Sequence, residues 1–271
     1  MEFPKVLYHY TSIESLALIL KNKTIRLNSL DKMDDLQENM AKDIKNLGRL
    51  IFVSSWTEQE KESIPMWSMY SNIESGVRIA LPTNPFLREG TDGFVKRKAT
   101  NAWGYDVEDD GSYSDTFLDV RKLNGLGVMP IEAVEGNILN KVEYTDDKEL
   151  LEPQACTDDA ITIDVLGRYK STYWDFQEEW RYKLQFLATY TGTNDNERAK
   201  FYRDHLNNIR DGTVSLPISY YDLTISEEAF CQMEILKSPR LSAGNDILLD
   251  VLIKEYNPNA KVKESELKGL L

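Results

Sequence analysis

Three short stretches carry residues whose types and spacing could do chemistry. The first is Val6-Leu7-Tyr8-His9-Tyr10-Thr11-Ser12, which holds one of only two histidines in 271 residues. An imidazole at a strand end can bond a sugar hydroxyl while a neighbouring hydroxyl, here Thr11, positions the other side. The alternative is a core histidine followed by a threonine that caps a helix. The second stretch is Met66-Trp67-Ser68-Met69-Tyr70. Tyr70 can stack on a flat heteroaromatic ring, or pack in the core. The third is Gln177-Glu178-Glu179-Trp180-Arg181. A carboxylate at a strand start, flanked by bulky aromatics, suits the mouth of a site. Glu179 can accept two hydroxyl hydrogen bonds or stabilise a developing oxocarbenium cation. Arg181, two residues on and on the same face, offers an ion pair as the structural alternative.

Several other site types lack their residues. No Gly-x-x-x-x-Gly-Lys-Ser/Thr loop and no Gly-x-Ser-x-Gly elbow occur. Gly125-Leu126-Gly127 has no third glycine and no strand–helix setting. Neither histidine has a second histidine or cysteine at ligand spacing, so no metal is expected. His205, within Arg203-Asp204-His205-Leu206-Asn207, reads as a surface histidine on a polar helix.

The net charge of −13 weighs against broad phosphate-backbone binding, which needs clustered Lys and Arg. The acidic excess at 106–119 reads as a solvated loop. No apolar run reaches the ~18–20 residues of a membrane span, so no membrane partner is expected. Residues 1–5 lack the features of an export signal. Cys156 and Cys231 are far apart without metal-type spacing, which points to a reduced, cytoplasmic setting.

These groups need elements to hold them. Residues 8–12 read as the end of a strand. Thr11 and Glu14 form a capping-box pattern that starts a helix at Ser12 or Ile13, with Ile13, Leu16, Ile19 and Leu20 on one face. Strands are expected at 24–27, 50–56, 76–81, 138–144, 213–218 and 231–236. Helices are expected at about 36–47, 63–70 with Pro65 in the first turn, 158–173, 194–208 and 242–256. The last carries Leu248, Leu249, Leu252 and Ile253 as its apolar stripe. From Glu179 onward, Trp180, Tyr182, Leu184 and Phe186 alternate with Glu179, Arg181, Lys183 and Gln185, the pattern of a half-buried strand. Residues 82–136, rich in Gly, Asp and Asn, read as a long insertion with a hairpin. The chain as a whole, 1–271, reads as a single α+β domain.

Taken together, the three stretches resemble the ADP-ribosyltransferase fold. Tyr-His-Tyr-Thr-Ser followed by an Ile-Leu pair is similar to its first motif, and the order His, Tyr, Glu is similar to its His–Tyr–Glu branch. The chain also resembles a large bacterial family of uncharacterised proteins with four boxes in order. Here these are Tyr8 to Ser12, Trp67-Ser68-Met69-Tyr70, Gly76 to Ile79 and Trp174 to Arg181. Leu236 to Ser242 resembles that family's closing turn, with Lys-Ser in place of Ile-Gly. Gln177 stands where the family often has Glu. The likeness covers residues 5–81 and 138–256 and leaves out the insertion.

The resemblance implies a split β-sheet with flanking helices that holds NAD, as substrate, in a cleft. His9 would bond the adenosine ribose with Thr11 in support, and Tyr70 would stack on nicotinamide. Glu179 would be the catalytic residue at the cleft rim, and Arg78 or Arg26 would meet the pyrophosphate. The implied activity is mono-ADP-ribosyl transfer or NAD glycohydrolysis, as a toxin or defence effector, with no acceptor named. Two alternatives stand beside it: a non-catalytic relative that binds a nucleotide or partner, and a buried polar network with no ligand.

Overall fold

The computed structural model describes residues 3–90, 99–100, 106–107, 115–131, 138–157 and 160–271. A short apolar run opens the first strand, β1 (Val6–Ser12), and the chain turns directly into helix α1 (Ile13–Asn22). The cap of α1 is Ser12, whose side chain accepts from the Ser15 amide. Thr11, expected as a cap, instead lies in the strand, buried and paired with Val77. Ser12→Ala should therefore cost about 1 kcal/mol. An unchanged thermal midpoint would show that the cap does not contribute.

The strands β2 (Thr24–Ser29), β3 (Ile51–Thr57) and β4 (Gly76–Pro82), with helix α2 (Ile64–Tyr70) between the last two, follow the expected order. Next come helix α3 (Val120–Gly125), strands β5 (Val128–Pro130), β6 (Leu139–Lys141) and β7 (Glu179–Ala188), and helix α4 (Asp195–Arg210). The chain continues through β8 (Tyr220–Thr224), α5 (Glu227–Cys231), β9 (Glu234–Lys237), α6 (Ala243–Tyr256) and β10 (Lys261–Lys263). The fold is α+β. Ten of the described strands form one mixed sheet along β6-β7-β3-β1-β4-β9-β10, with β2 joining β8 to β3 and β5 extending β7. All of these pairs are antiparallel except β9 with β10.

The sheet is split at one place. β1 pairs with β4 along all seven of its residues, and β7 pairs with β3 along seven. Between β1 and β3 the only register pair is Tyr8 with Thr57. Beyond that pair the strands diverge and leave a gap. One face of the sheet, with Leu7, Phe52, Trp56, Val77, Ile79, Trp180 and Phe186, meets α1 and α6 in the main core. The other face is covered by residues 30–50 and 160–170, through a second core of Leu30, Ile44, Leu47, Leu50, Ile51, Val53 and Leu166.

That second layer corrects several expectations. β7 is buried on both faces, and Glu179, Arg181, Lys183 and Gln185 are each under a tenth exposed. They tolerate burial because each has partners; Lys183, for one, donates to the Asp164 and Leu166 carbonyls. The helix expected at 36–47 is two 3₁₀ turns, Leu36–Asn39 and Leu47–Leu50. Between them Asp43 accepts from the Ala155 and Cys156 amides and Asn46 turns left-handed at φ 61°, both of which pull the backbone out of a helix. The helix expected at 158–173 is absent across its described part, 160–173. Gly167 at φ 72° breaks it, and the segment becomes the two-residue strand Tyr169–Lys170 and the 3₁₀ turn Thr172–Gln177. Residues 158–159 of that helix lie outside the described residues. No strand forms at 213–218, and Tyr220–Thr224 takes that role. Cys231 ends α5, so the next strand starts at Glu234. Leu248, placed in the apolar stripe of α6, is 54% exposed.

Within the 82–136 insertion, Glu89–Gly90 pairs with Asp115–Thr116 and Ala99–Thr100 pairs with Asp106–Val107, two nested antiparallel ladders. Residues 108–114 of the acidic run at 106–119 lie outside the described residues. Among the described residues, no helix is long and apolar enough to cross a membrane.

Candidate functional site

The split between β1 and β3 opens into a cleft with two lobes. Tyr8, His9, Tyr10, Trp56, Met66 and Tyr70 wall the inner lobe, with Lys170, Gln177, Glu179 and Arg181 at its polar end. It holds about 90 Å³, space for several waters or one flat ring at roughly 10–15 Å³ per water. The outer lobe is larger, about 360 Å³, and is walled by Thr11, Ser15, Arg26, Asn28, Lys32 and Asp222 among others. His9, Met33, Asp34, Ser55 and Tyr70 border both lobes.

β1 and β3 place His9. Its Nδ1 lies 2.8 Å from the Ser55 carbonyl oxygen. A carbonyl only accepts, so Nδ1 carries the proton and Nε2 keeps a lone pair. The ring also packs on Trp56, with centroids 5.0 Å apart. Burial pushes His9 below the ordinary histidine value, with the Ser55 carbonyl opposing. The imidazole is therefore neutral near pH 7, as an acceptor must be.

Helix α2 places Tyr70, and the C-terminal segment fastens α2. Glu62 accepts from Trp67 Nε1 at 2.9 Å, from the Ser265 hydroxyl at 2.7 Å and from the Glu266 amide at 2.7 Å. The Ser63 amide donates to the Tyr10 hydroxyl at 3.0 Å. Tyr70 itself is half-buried, and its hydroxyl accepts from Gln177 Nε2. Burial raises the Tyr70 phenol, with Asp34 and Glu179 adding to the effect.

Glu179 sits at the floor of the inner lobe and not at its rim, only 2% exposed. Glu178, left-handed at φ 41°, makes the sharp turn from the 3₁₀ segment into β7. That turn lets Gln177 and Glu179 both face Lys170. Glu179 Oε1 accepts from Arg181 Nε at 2.5 Å. Its Oε2 accepts from Arg181 Nη2 at 3.1 Å and from Lys170 Nζ at 2.8 Å. Glu38, reaching in from the first 3₁₀ turn, pairs with Arg181 Nη1 and lies 3.2 Å from Lys170 Nζ. The four side chains form a buried quartet of two carboxylates and two cations. Gly167, whose left-handed turn breaks the expected helix, gives its carbonyl to Arg181 Nη1 at 3.2 Å.

Burial alone would raise the Glu179 carboxyl, but Arg181 and Lys170 outweigh it and hold the group down to about 2. Counting lone pairs, Oε2 is full and Oε1 has one site left. Glu179 can thus accept one further hydroxyl, where the sequence allowed two.

His9, Tyr70 and Glu179 therefore meet at one cavity, from sequence positions 170 residues apart. Thr11 and Arg26 border the adjoining lobe, and Arg26 is already held by Asp222 in a two-point ion pair of 2.9 and 3.0 Å. Arg78 borders neither lobe. It is buried behind Tyr8, with its guanidinium 4.5 Å from that ring centroid and donating to the Glu60 carbonyl at 2.8 Å. His205, expected at the surface, is buried. Its Nε2 accepts from the Ala188 amide at 3.3 Å, beside a separate apolar cavity that shares no residue with the cleft. Among the described residues, no group of three His, Cys, Asp or Glu is placed to hold a metal.

Comparison with protein families, curated proteins and solved structures finds no match to this chain. The cleft itself therefore carries the functional argument.

Sequence reasoning missed Lys170, Glu38, Trp56 and Asp34 at this site. Lys170 was hidden inside a segment read as helix. Glu38 falls in the helix expected at 36–47, which does not form. Trp56 reads from sequence only as a strand residue, and Asp34 only as part of an acidic turn at 31–35.

Proposed function

We propose that this protein has an ADP-ribosyltransferase fold and binds NAD in the cleft between β1 and β3. It breaks the nicotinamide–ribose bond and passes ADP-ribose to water or to an acceptor. The observation that carries this reading is the meeting of His9, Tyr70 and Glu179 at one split of the sheet. The aromatic inner lobe suits the nicotinamide ring, and Tyr70 stacks on it. His9 Nε2 accepts from a ribose hydroxyl, and Thr11 lies in the larger lobe, which suits the rest of the dinucleotide.

In the reaction the C1′–N bond breaks and its electron pair goes to the pyridinium nitrogen, leaving neutral nicotinamide. The cation left at C1′ is taken up by the incoming nucleophile, whose proton passes to solvent. Glu179 accepts one ribose hydroxyl through its remaining Oε1 lone pair, which orients C1′ and favours the cationic transition state over the ground state. A cytoplasmic site of action fits the two free cysteines.

One observation favours a second reading. Arg181 and Lys170 neutralise much of the Glu179 charge, and a neutralised carboxylate suits a non-catalytic nucleotide-binding relative. Release of nicotinamide separates the two.

Calorimetric titration with NAD tests the shared part of both readings. The wild-type chain should bind, and His9→Ala should weaken binding roughly tenfold through the lost hydrogen bond. Absence of binding at millimolar NAD would overturn both and leave a structural polar network.

A further inference from the structure

Charge is distributed unevenly along the cleft. The inner lobe has four aromatic walls, Tyr8, Tyr10, Trp56 and Tyr70, beside His9. Its buried charges cancel, since Glu179, Arg181, Lys170 and Glu38 satisfy one another. Asp34 is different. It borders both lobes, is exposed, and has no ion pair or hydrogen bond among the described residues. The other wall carboxylate, Asp222, is taken by Arg26. Lys32, two residues before Asp34, borders only the outer lobe, and among the described residues its ammonium reaches no nearer partner than the Ser219 carbonyl at 3.4 Å. The cleft thus runs from an aromatic chamber with one unpaired carboxylate at its throat to an outer lobe with an unpaired cation.

We infer that Asp34 is a specificity residue that makes the inner lobe select a positively charged aromatic ring. This deepens the NAD reading and rests on it. A pyridinium is attracted both by the faces of Tyr70 and Trp56 and by the Asp34 carboxylate. The neutral dihydropyridine of the same dinucleotide keeps the shape and the phosphates but loses both attractions. The same selection assists turnover. Once the C1′–N bond breaks, nicotinamide is neutral, and Asp34 no longer holds it. Lys32 acts on the phosphates, which the oxidised and reduced forms share, so it contributes no discrimination between them.

The test uses the full chain and the carbocyclic analogue of NAD, which cannot lose nicotinamide, beside the reduced form of that analogue. Calorimetry should give about a tenfold preference of the wild type for the oxidised form. Asp34→Asn should cut that preference to about threefold, the share the aromatic faces keep, by weakening the oxidised form alone, because Asp34 is exposed and its loss leaves the fold intact. Lys32→Gln should weaken both equally. Equal wild-type affinities, or a preference undiminished by Asp34→Asn, would overturn the selection by Asp34 and leave the NAD reading standing. Failure of both forms to bind would overturn the NAD reading and this inference with it.

Discussion

Arg181→Met should destabilise the protein by about 3–5 kcal/mol, the largest stability effect expected for a single side chain at this site. Arg181 is 1% exposed and bonds Glu179 through two nitrogens, Glu38 through a third, and the Gly167 carbonyl. Methionine fills a similar volume but leaves two buried carboxylates with only Lys170 between them. The uncompensated charge sets the cost, more than the lost bonds do. Urea unfolding followed by circular dichroism measures it, and a loss below about 1 kcal/mol would mean that water already reaches the quartet.

The same quartet has a pH signature. Glu179 is held at about 2 in the folded chain, against about 4.3 for an ordinary glutamate. A depressed folded value means that this stabilisation is fully present above the unfolded value. It is lost as pH falls from about 4.3 toward 2. Wild-type stability should drop through that acid window, and Glu179→Gln should flatten the drop.

Glu179→Gln should also slow nicotinamide release by about 10²–10³-fold while NAD affinity changes little. The amide keeps the size and one oxygen acceptor but loses the negative charge that favours the cationic ribose. A matched fall in affinity and rate would instead mean that Glu179 only binds ligand. Wild-type protein that binds NAD without releasing nicotinamide would identify the non-catalytic relative. Thermal melting of the variant is a necessary control, because the substitution leaves Lys170 and Arg181 sharing Glu38 alone.

The parts of the site on regular elements were legible in the sequence. His9 sits on a strand whose apolar start and following helix are local signals, and Tyr70 sits on a helix announced by Pro65. Glu179 opens a strand with strict period-2 patterning. That pattern misled only about burial, because alternation shows two unlike faces and not what covers them. The polar face of β7 is covered by residues 30–50 and 160–170, segments with no regular periodicity. Asp43, Asn46 and Gly167 shape those segments through side-chain bonds and left-handed turns. Glu38 and Lys170 could not be assigned to the site for that reason. Arg78 shows the opposite failure. Its strand was correctly expected, but which neighbour its long side chain reaches depends on packing behind Tyr8.

A crystal structure of the wild-type chain with the carbocyclic NAD analogue tests the central claim most directly. The nicotinamide ring should lie in the inner lobe against Tyr70. A ribose hydroxyl should lie within hydrogen-bond distance of His9 Nε2, and another within reach of Glu179 Oε1. An inner lobe left empty at saturating ligand, or a dinucleotide bound away from the split between β1 and β3, would contradict the account.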